Sequence, residues 1–228
     1  MTPLVSVLGT LSISNDDSGI IRLEGKYSRL LILRLILSFG EAVEPETLME
    51  AIWGERTAAE SLRTLVSRTR KACKGILEIH TEVGGYCIRK EERTLDAEQF
   101  LLGASLVRSG GPERAAQGEA ALKLWRSGDP LPEASDRDWA GPYAQSLRIA
   151  RASLLGDLAE IGLTKGDFMS AETNASILLA DNPFDERAAA LRAYAVGGLG
   201  RLSEALIKLA DFRKHLATET GLDRKSVV

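Results

Sequence analysis

The chain has 228 residues, of which 44% are hydrophobic and 27% are charged, and its net charge is -3 with an isoelectric point near 5.6. This composition is typical of a folded globular protein, and it excludes both a disordered chain and a protein that coats nucleic acid through a general positive charge. Any affinity for phosphate must therefore come from a local patch.

Alternating apolar residues predict short strands at the start of the chain. The runs around Val5 and Ile13 alternate, and a third short run, IIRLEG, follows the polar letters NDDSG. The pattern predicts a small antiparallel sheet with Asp17, Ser18 and Gly19 in its turn.

Helical spacing follows in three segments. The run LLILRLILSFG begins at Leu30 and is closed by Gly40, and PETLMEAIWG has Pro45 at a first helical position and Gly54 at a C-terminal stop. After a turn at ERTA, a third helix is predicted from about Ala58 to Lys74.

The third helix is amphipathic. Leu62, Val66, Thr69 and Cys73 recur at steps of four, three and four, with Leu65 beside them, which predicts an inward stripe. The segment from Ser61 to Gly75 carries five Lys or Arg residues and no acid, although residues 1 to 90 contain 12 basic and 11 acidic residues. Positive charge is thus concentrated on one helix.

After Gly75 the period changes to that of strands. The runs ILEIHT and GYCIRK flank the pair Gly84 and Gly85, which predicts a hairpin. A short helix, a turn, a basic helix and a hairpin in this order predict a winged helix-turn-helix in residues 1–92.

Residues 93–228 show helical spacing throughout. Gly166 and Ala171 are followed 34 residues later by Gly200 and Ala205, which is the tetratricopeptide period. The fold class predicted for the chain is therefore an α+β winged helix followed by an all-α, tetratricopeptide-like bundle.

The solvent face of the basic helix has the chemistry of a DNA-reading surface. An α-helix fits the major groove, where Arg can bond guanine edges, Ser and Thr can bond base edges or phosphates, and Lys can neutralise phosphate. The candidate DNA-binding residues are Arg63, Thr64, Ser67, Arg68, Arg70, Lys71 and Lys74. The alternative is a solvated surface that contacts nothing.

These motifs resemble a known family. The segment AAESLRTLVSRTRKACKG, preceded by LMEAIWG and followed by the T-x-x-x-GY arrangement at Thr81, Gly85 and Tyr86, resembles the winged helix, of the OmpR/PhoB-like type, in the antibiotic-regulatory (SARP-like) activators. The later segments LDAEQF and EAALKLWRSGDPLPE resemble the bacterial transcriptional activation domain of the same family. The resemblance covers nearly the whole chain.

The resemblance implies a transcriptional activator that binds direct repeats in double-stranded promoter DNA as a homodimer and recruits RNA polymerase. It makes Arg63, Thr64 and Ser67 candidates for contact with base edges, and it assigns contact with bases or phosphates to the cations Arg68, Arg70 and Lys71. The wing would comprise Thr81, Gly84, Gly85 and Tyr86, with Tyr86 packing against the body of the domain. No cofactor is implied.

Two alternatives remain. The family usually has a basic residue near Glu82, and because an acid there would repel phosphate, a degenerate winged helix could serve with the repeats as a protein-binding adaptor. The chain could also be the N-terminal part of a larger regulator.

An enzyme is not expected. His80 and His215 lie far apart in sequence, and neither has a carboxylate or cysteine at metal-ligand spacing, so no metal site is predicted. Cys73 and Cys87 could form a redox pair that gates DNA binding, or they could be plain core residues. Trp139 could pack in the core or remain exposed for a partner.

The chain is expected to be cytoplasmic and to join the bacterial nucleoid when it binds DNA. Its N-terminus lacks the basic start and apolar core of a signal peptide. The most apolar run, Leu30 to Leu37, is interrupted by Arg34 and is shorter than the roughly 20 residues needed to cross a bilayer.

Overall fold

The computed structural model describes residues 4–15, 19–21, 23–54, 59–126 and 128–220. Contacts divide the chain into two compact units: residues 1–102 with 121–148, and residues 103–120 with 149–228. The first unit contains the strands and the basic helix, and the second is helical. The predicted domain boundary between residues 92 and 93 stays a prediction.

The first unit contains a four-stranded sheet in the order β3-β2-β1-β6. Strands β1, β2 and β3 are antiparallel neighbours, and β6 pairs with β1 in parallel, with Val5 opposite Leu95. The antiparallel sheet predicted for the start of the chain is present, whereas β6 was not predicted. The strands span Leu4–Ser6 (β1), Ser12–Asn15 (β2), Gly19–Ile21 (β3) and Thr94–Leu95 (β6).

The turn predicted in the sheet lies largely outside the described residues. Asp17 and Ser18 belong to that part, and so does the ERTA segment at 55–58. Gly19, the third residue predicted for the turn, is the first residue of β3.

Three helices pack together beside this sheet, α1 (Lys26–Ile36), α2 (Pro45–Trp53) and α3 (Ala59–Ala72). Helix α1 is longer than predicted at its N-terminal end, and all its apolar residues from Leu30 to Ile36 are buried. Helix α2 has the predicted bounds because Pro45 suits its first turn, and Gly54 takes the left-handed conformation that ends it, with φ 81°.

A short hairpin follows α3. Strands β4 (His80–Glu82) and β5 (Gly85–Cys87) are antiparallel, with Thr81 opposite Tyr86. The strands are shorter than the alternating runs that predicted them. A 3₁₀ turn at Lys90–Glu92 leads to β6.

Residues 124–126 and 128–140, which follow α4 (Asp96–Ser109) and α5 (Arg114–Lys123) in the chain, pack against the ends of the first-unit elements. The guanidinium of Arg137 donates to the Ile52 carbonyl at 3.1 Å, and the Trp139 indole donates to the Ala51 carbonyl at 3.1 Å. These side chains satisfy carbonyls in the last turn of α2, which have no partner inside the helix. Trp139 is therefore a packing residue of this unit.

The second unit contains most of the C-terminal helices. Among the described residues from 96 onward, the α-helices are α4 (Asp96–Ser109), α5 (Arg114–Lys123), α6 (Gly141–Lys165), α7 (Phe168–Asp181), α8 (Glu186–Gly198) and α9 (Leu202–Thr220). Helices α7 and α8 pack together, as do α8 and α9. No helix among the described residues combines the length and apolar character of a membrane span.

The residues that recur after 34 positions have the same structural roles. Gly166 and Gly200 both have positive φ, of 77° and 78°, and each lies two residues before a helix begins. Ala171 and Ala205, both buried, lie in the first turns of α7 and α9. The repeat thus marks two equivalent helix starts.

The Asp96 carboxylate connects the start of α4 to the end of β1. Its two oxygens accept hydrogen bonds from the backbone N–H groups of Val7 at 2.8 Å and Leu8 at 3.2 Å, and Arg126 lies 3.8 Å away. Burial raises the pKa of Asp96, and the backbone N–H donors and Arg126 oppose that rise. Buried backbone donors without acceptors are costly, so this carboxylate stabilises the edge where β1 and β6 meet.

We predict that Asp96→Asn lowers the free energy of unfolding by about 2 kcal/mol, because an amide offers one acceptor where two N–H donors converge. Urea unfolding followed by circular dichroism measures the change. The control is Asp138→Asn, an exposed aspartate on the same segment as Trp139, which is expected to change the value by less than about 0.5 kcal/mol. Equal stability of the two variants would contradict this role.

Candidate nucleic-acid interface

Helix α3 has the predicted inward stripe. Leu62, Val66, Thr69 and Cys73 are each at most 2% exposed, and Leu65 is partly buried. The Thr69 hydroxyl donates to the Leu65 carbonyl at 2.9 Å and lies 3.2 Å from the Ser28 hydroxyl of α1. A buried polar group thus has partners, and Thr69 contributes to the attachment of α3 to α1.

The candidate DNA-binding side chains all lie on the exposed side of α3 and its C-terminal end. These are Arg63, Thr64, Ser67, Arg68, Arg70, Lys71 and Lys74. The structure therefore brings the predicted set together on one surface, which we call the basic face.

Most cations of the basic face are not neutralised by the part of the protein that the structure describes. The side chains of Arg68, Lys71 and Lys74 form no hydrogen bond or ion pair with the described residues. Arg63 lies 3.9 Å from Glu60, but both side chains are largely exposed, at 72% and 82%, and such pairs contribute little. These side chains can reach an external anion without first breaking a strong internal contact.

A cleft of about 410 Å³ runs between α3 and the hairpin. Four cations and no acid line it, together with one hydroxyl, one apolar and one aromatic side chain. The lining residues are Arg63, Val66, Ser67, Arg70, Lys71, Lys74 and Tyr86. Its chemistry suits a polyanion.

Arg70 differs from its neighbours on the basic face. Its Nε donates to the Ile79 carbonyl at 2.8 Å, its Nη2 donates to the Thr81 hydroxyl at 2.8 Å, and its guanidinium lies 5.8 Å from the centre of the Tyr86 ring. Arg70 thus contacts both strands of the hairpin.

The hairpin is also joined to Val43, which lies two residues before the first residue of α2. Tyr86 and Val43 exchange two backbone hydrogen bonds, of 2.8 Å and 3.1 Å. A side chain at residue 85 would place its Cβ 1.9 Å from the Val43 carbonyl oxygen, so Gly85 is required for this approach. Gly84, with φ 98°, lies in the turn.

Glu82 is paired inside the hairpin. Its carboxylate lies 3.2 Å from the Arg89 guanidinium, which also approaches Glu92 at 3.4 Å. One guanidinium thus lies near two carboxylates and partly offsets the negative charge of Glu82. Sequence reasoning missed Arg89 as the partner of Glu82; Glu82 ends β4, and Arg89 lies two residues after the end of β5.

His80 lies close to two carboxylates in the structure, although the sequence was expected to offer it none at metal-ligand spacing. Its Nε2 is 2.6 Å from Glu92 and 3.9 Å from Glu78, and ligand atoms of the three residues lie within 4.8 Å of one another. Glu78 could have been found from the sequence, because residues two apart on a strand share a face. A divalent ion here would have to displace the short His80–Glu92 hydrogen bond, so we assign the group to the attachment of the hairpin's base.

The two cysteines are core residues. Cys73 and Cys87 are both buried, and burial raises the pKa of Cys73 to about 11. Burial, followed by the nearby Glu82 carboxylate, also raises the pKa of Cys87. Protonated, enclosed thiols are poor nucleophiles, which favours the core interpretation over a redox pair.

Comparison with known proteins identifies the family. Residues 95–228 match the bacterial transcriptional activator domain. This match covers more than half of the chain, so the chain belongs to the family of proteins that carry this domain. The resemblance to the antibiotic-regulatory activators is thereby confirmed.

Relatives include the regulatory protein AfsR of Streptomyces coelicolor, 34% identical over 209 residues that cover 86% of this chain and 20% of AfsR. The transcriptional regulator RedD of the same species is 28% identical over 233 residues, which cover 96% of this chain and 66% of RedD. The chain therefore spans about one fifth of the length of AfsR.

A solved structure of EmbR from Mycobacterium tuberculosis, in complex with a low-affinity phosphopeptide, is similar in fold. The match has a TM-score of 0.79 at 22% identity, and it covers 97% of this chain and 61% of the EmbR chain. At this identity the similarity supports the fold alone.

We predict that neither thiol reacts with Ellman's reagent in the native protein at pH 8. With a pKa of about 11, about one Cys73 in a thousand is a thiolate at that pH, and both sulfurs lie in buried residues. The absorbance of released thionitrobenzoate measures the reaction, and both thiols should react in guanidinium chloride. Rapid reaction of the folded protein would revive the redox interpretation.

Proposed function

We propose that the protein is a sequence-specific DNA-binding transcriptional activator. Residues 1–92 act in this proposal as a winged helix of the OmpR/PhoB-like type, with α3 as the recognition helix in the major groove. Residues 93–228 act as a tetratricopeptide-like activation domain. The family assignment and the names of the relatives support this function.

The observation that carries the proposal is that the cations of the basic face are exposed and mostly lack a partner among the described residues. Its cations are concentrated on one helix of an acidic chain, and Arg68, Lys71 and Lys74 have no protein partner among the described residues. Structural cations normally gain stability from carboxylates or helix ends, whereas phosphate-binding cations must stay available. The local concentration favours a docking surface over a solvated one.

Individual roles follow from position and chemistry. Arg63, Thr64 and Ser67 lie toward the N-terminal half of α3, where recognition helices approach base edges. Arg68 and Lys71 contact bases or phosphates, and Lys74 neutralises phosphate at the end of the helix. The turn at Gly84 presents the tip of the wing to the duplex.

The helical unit supplies the functions that one winged helix lacks. A single module buries about 600 to 1,000 Å² on DNA, which limits its specificity. We propose that the protein binds as a homodimer in the bacterial cytoplasm, and that the helical unit dimerises and contacts RNA polymerase.

The adaptor alternative rests on Glu82, as an acid that would repel DNA, and on the acidic net charge of the chain. The pairing of Glu82 with Arg89 weakens the first of these grounds. The alternative remains as an outcome of the first experiment below, because docking of protein partners does not require a steep dependence on salt.

We predict that Arg68→Glu abolishes retention on a pool of genomic fragments, since it replaces a phosphate- or base-binding cation with an acid while leaving the exposed helix surface folded. Arg68→Gln should lower the slope of log affinity against log salt by about 0.9 if Arg68 binds one phosphate. Titrations at several salt concentrations measure both effects.

The control for charge is Arg108→Gln, which removes an exposed arginine near the end of α4, remote in sequence from the basic face. It should leave affinity and slope unchanged. If wild type and Arg68→Glu are retained alike at low salt, the adaptor interpretation is correct.

We also predict a footprint of two protected half-sites in direct repeat, about one helical turn apart, because two copies are needed for useful specificity. Cleavage protection on fragments selected from the host genome measures the spacing. A single protected patch at saturating protein would contradict the dimer.

A further inference from the structure

Arg70 belongs to the basic face together with Arg68 and Lys71, yet its side chain is bound within the protein. Two of its three guanidinium nitrogens donate hydrogen bonds of 2.8 Å, to the Ile79 carbonyl and to the Thr81 hydroxyl. Arg68 and Lys71 have no such contacts with the described residues. One cation of the basic face is therefore committed to an internal structure.

The contacts of Arg70 reach both strands of the hairpin. Thr81 lies in β4, and Tyr86 lies directly opposite it in β5. The guanidinium of Arg70 lies over the ring of Tyr86. A planar cation that donates along its edge while it lies over an aromatic ring uses properties of arginine. Lysine could not make both hydrogen bonds and the cation–π contact with the same geometry.

The hairpin has a second attachment on its other side. The backbone of Tyr86 is bonded to Val43, immediately before the N-cap of α2. Arg70 from α3 and Val43 before α2 thus hold the hairpin between them. If the Arg70 contacts are lost, the Val43 attachment remains.

We propose that Arg70 is a positioning residue that fixes the wing against the recognition helix through Thr81 and Tyr86. This inference rests on the proposed DNA-binding function for its consequence, though the internal contact exists without DNA. In this role Arg70 acts on affinity through the placement of the wing, and Thr81 serves as the acceptor of Arg70.

The decisive variants keep the net charge constant. Arg70→Lys preserves the cation but removes the forked contact, and Thr81→Val removes the acceptor with little change of volume. Arg68→Lys is the matched control, because it makes the same chemical change at an exposed arginine that has no partner in the described part of α3. All variants are made in the full chain.

Hydrogen exchange of the DNA-free protein tests the contact itself. Amides of residues 80–87 should exchange about tenfold faster in Arg70→Lys and Thr81→Val than in wild type, because the hairpin opens more readily. Exchange in α1 should stay unchanged, which shows that the fold is intact, and Arg68→Lys should match wild type in the hairpin. Unchanged hairpin exchange in both variants would overturn the proposal.

DNA titrations test the consequence. Arg70→Lys and Thr81→Val should each weaken binding about tenfold at fixed salt, with the salt slope of wild type, and the double variant should be no weaker than Arg70→Lys alone. If the two losses of DNA affinity multiply in the double variant, Arg70 and Thr81 contact DNA separately, and the positioning role is wrong. If wild type itself shows no salt-dependent binding, the proposed function fails, while the exchange data still decide whether Arg70 fixes the hairpin.

Discussion

The Asp96 carboxylate is the contact on which the arrangement of the first unit depends. It lies at the first residue of α4, directly after β6, and it accepts the N–H groups of Val7 and Leu8 at the end of β1. Without it, two buried donors at the edge of the sheet would lack acceptors, and the two-residue strand β6 would depend on its own few hydrogen bonds. The carboxylate therefore joins the start of the activation-domain match at residue 95 to the N-terminal sheet.

The candidate interface consists of helix α3 and the β4–β5 hairpin, each of which is held by contacts with other parts of the first unit. The inward stripe of α3 and the Thr69 hydroxyl fix the helix against α1, which turns its cations outward. Gly85 and the Val43 bridge fix the hairpin on one side, and Arg70 reaches it from the other. The result is a cleft with cations on the helix side and a hairpin whose own acid, Glu82, is paired with Arg89.

Features set by local chemistry were predictable from the sequence. Pro45 and Gly54 marked the ends of α2, and the stripe of α3 followed from its spacing, because capping and amphipathic burial act within one element. Strand β6 was not predictable, since two residues cannot show an alternating pattern. The same holds for the partners of Arg70: the helix periodicity placed it correctly on the exposed side, but only the position of the hairpin decides whether that side chain binds inward or outward.

The Arg137 and Trp139 hydrogen bonds to the end of α2 have a practical consequence for dissecting the protein. These donors lie 85 and 88 residues after the carbonyls that they satisfy, beyond the sequence boundary at residue 92. A fragment that stops at this boundary would expose the last turn of α2 and would also lack Asp96. The affinity of such a fragment for a ligand would then be lowered in part by unfolding at the end of α2. Measurements on the fragment should therefore be compared with the same measurements on the intact polypeptide.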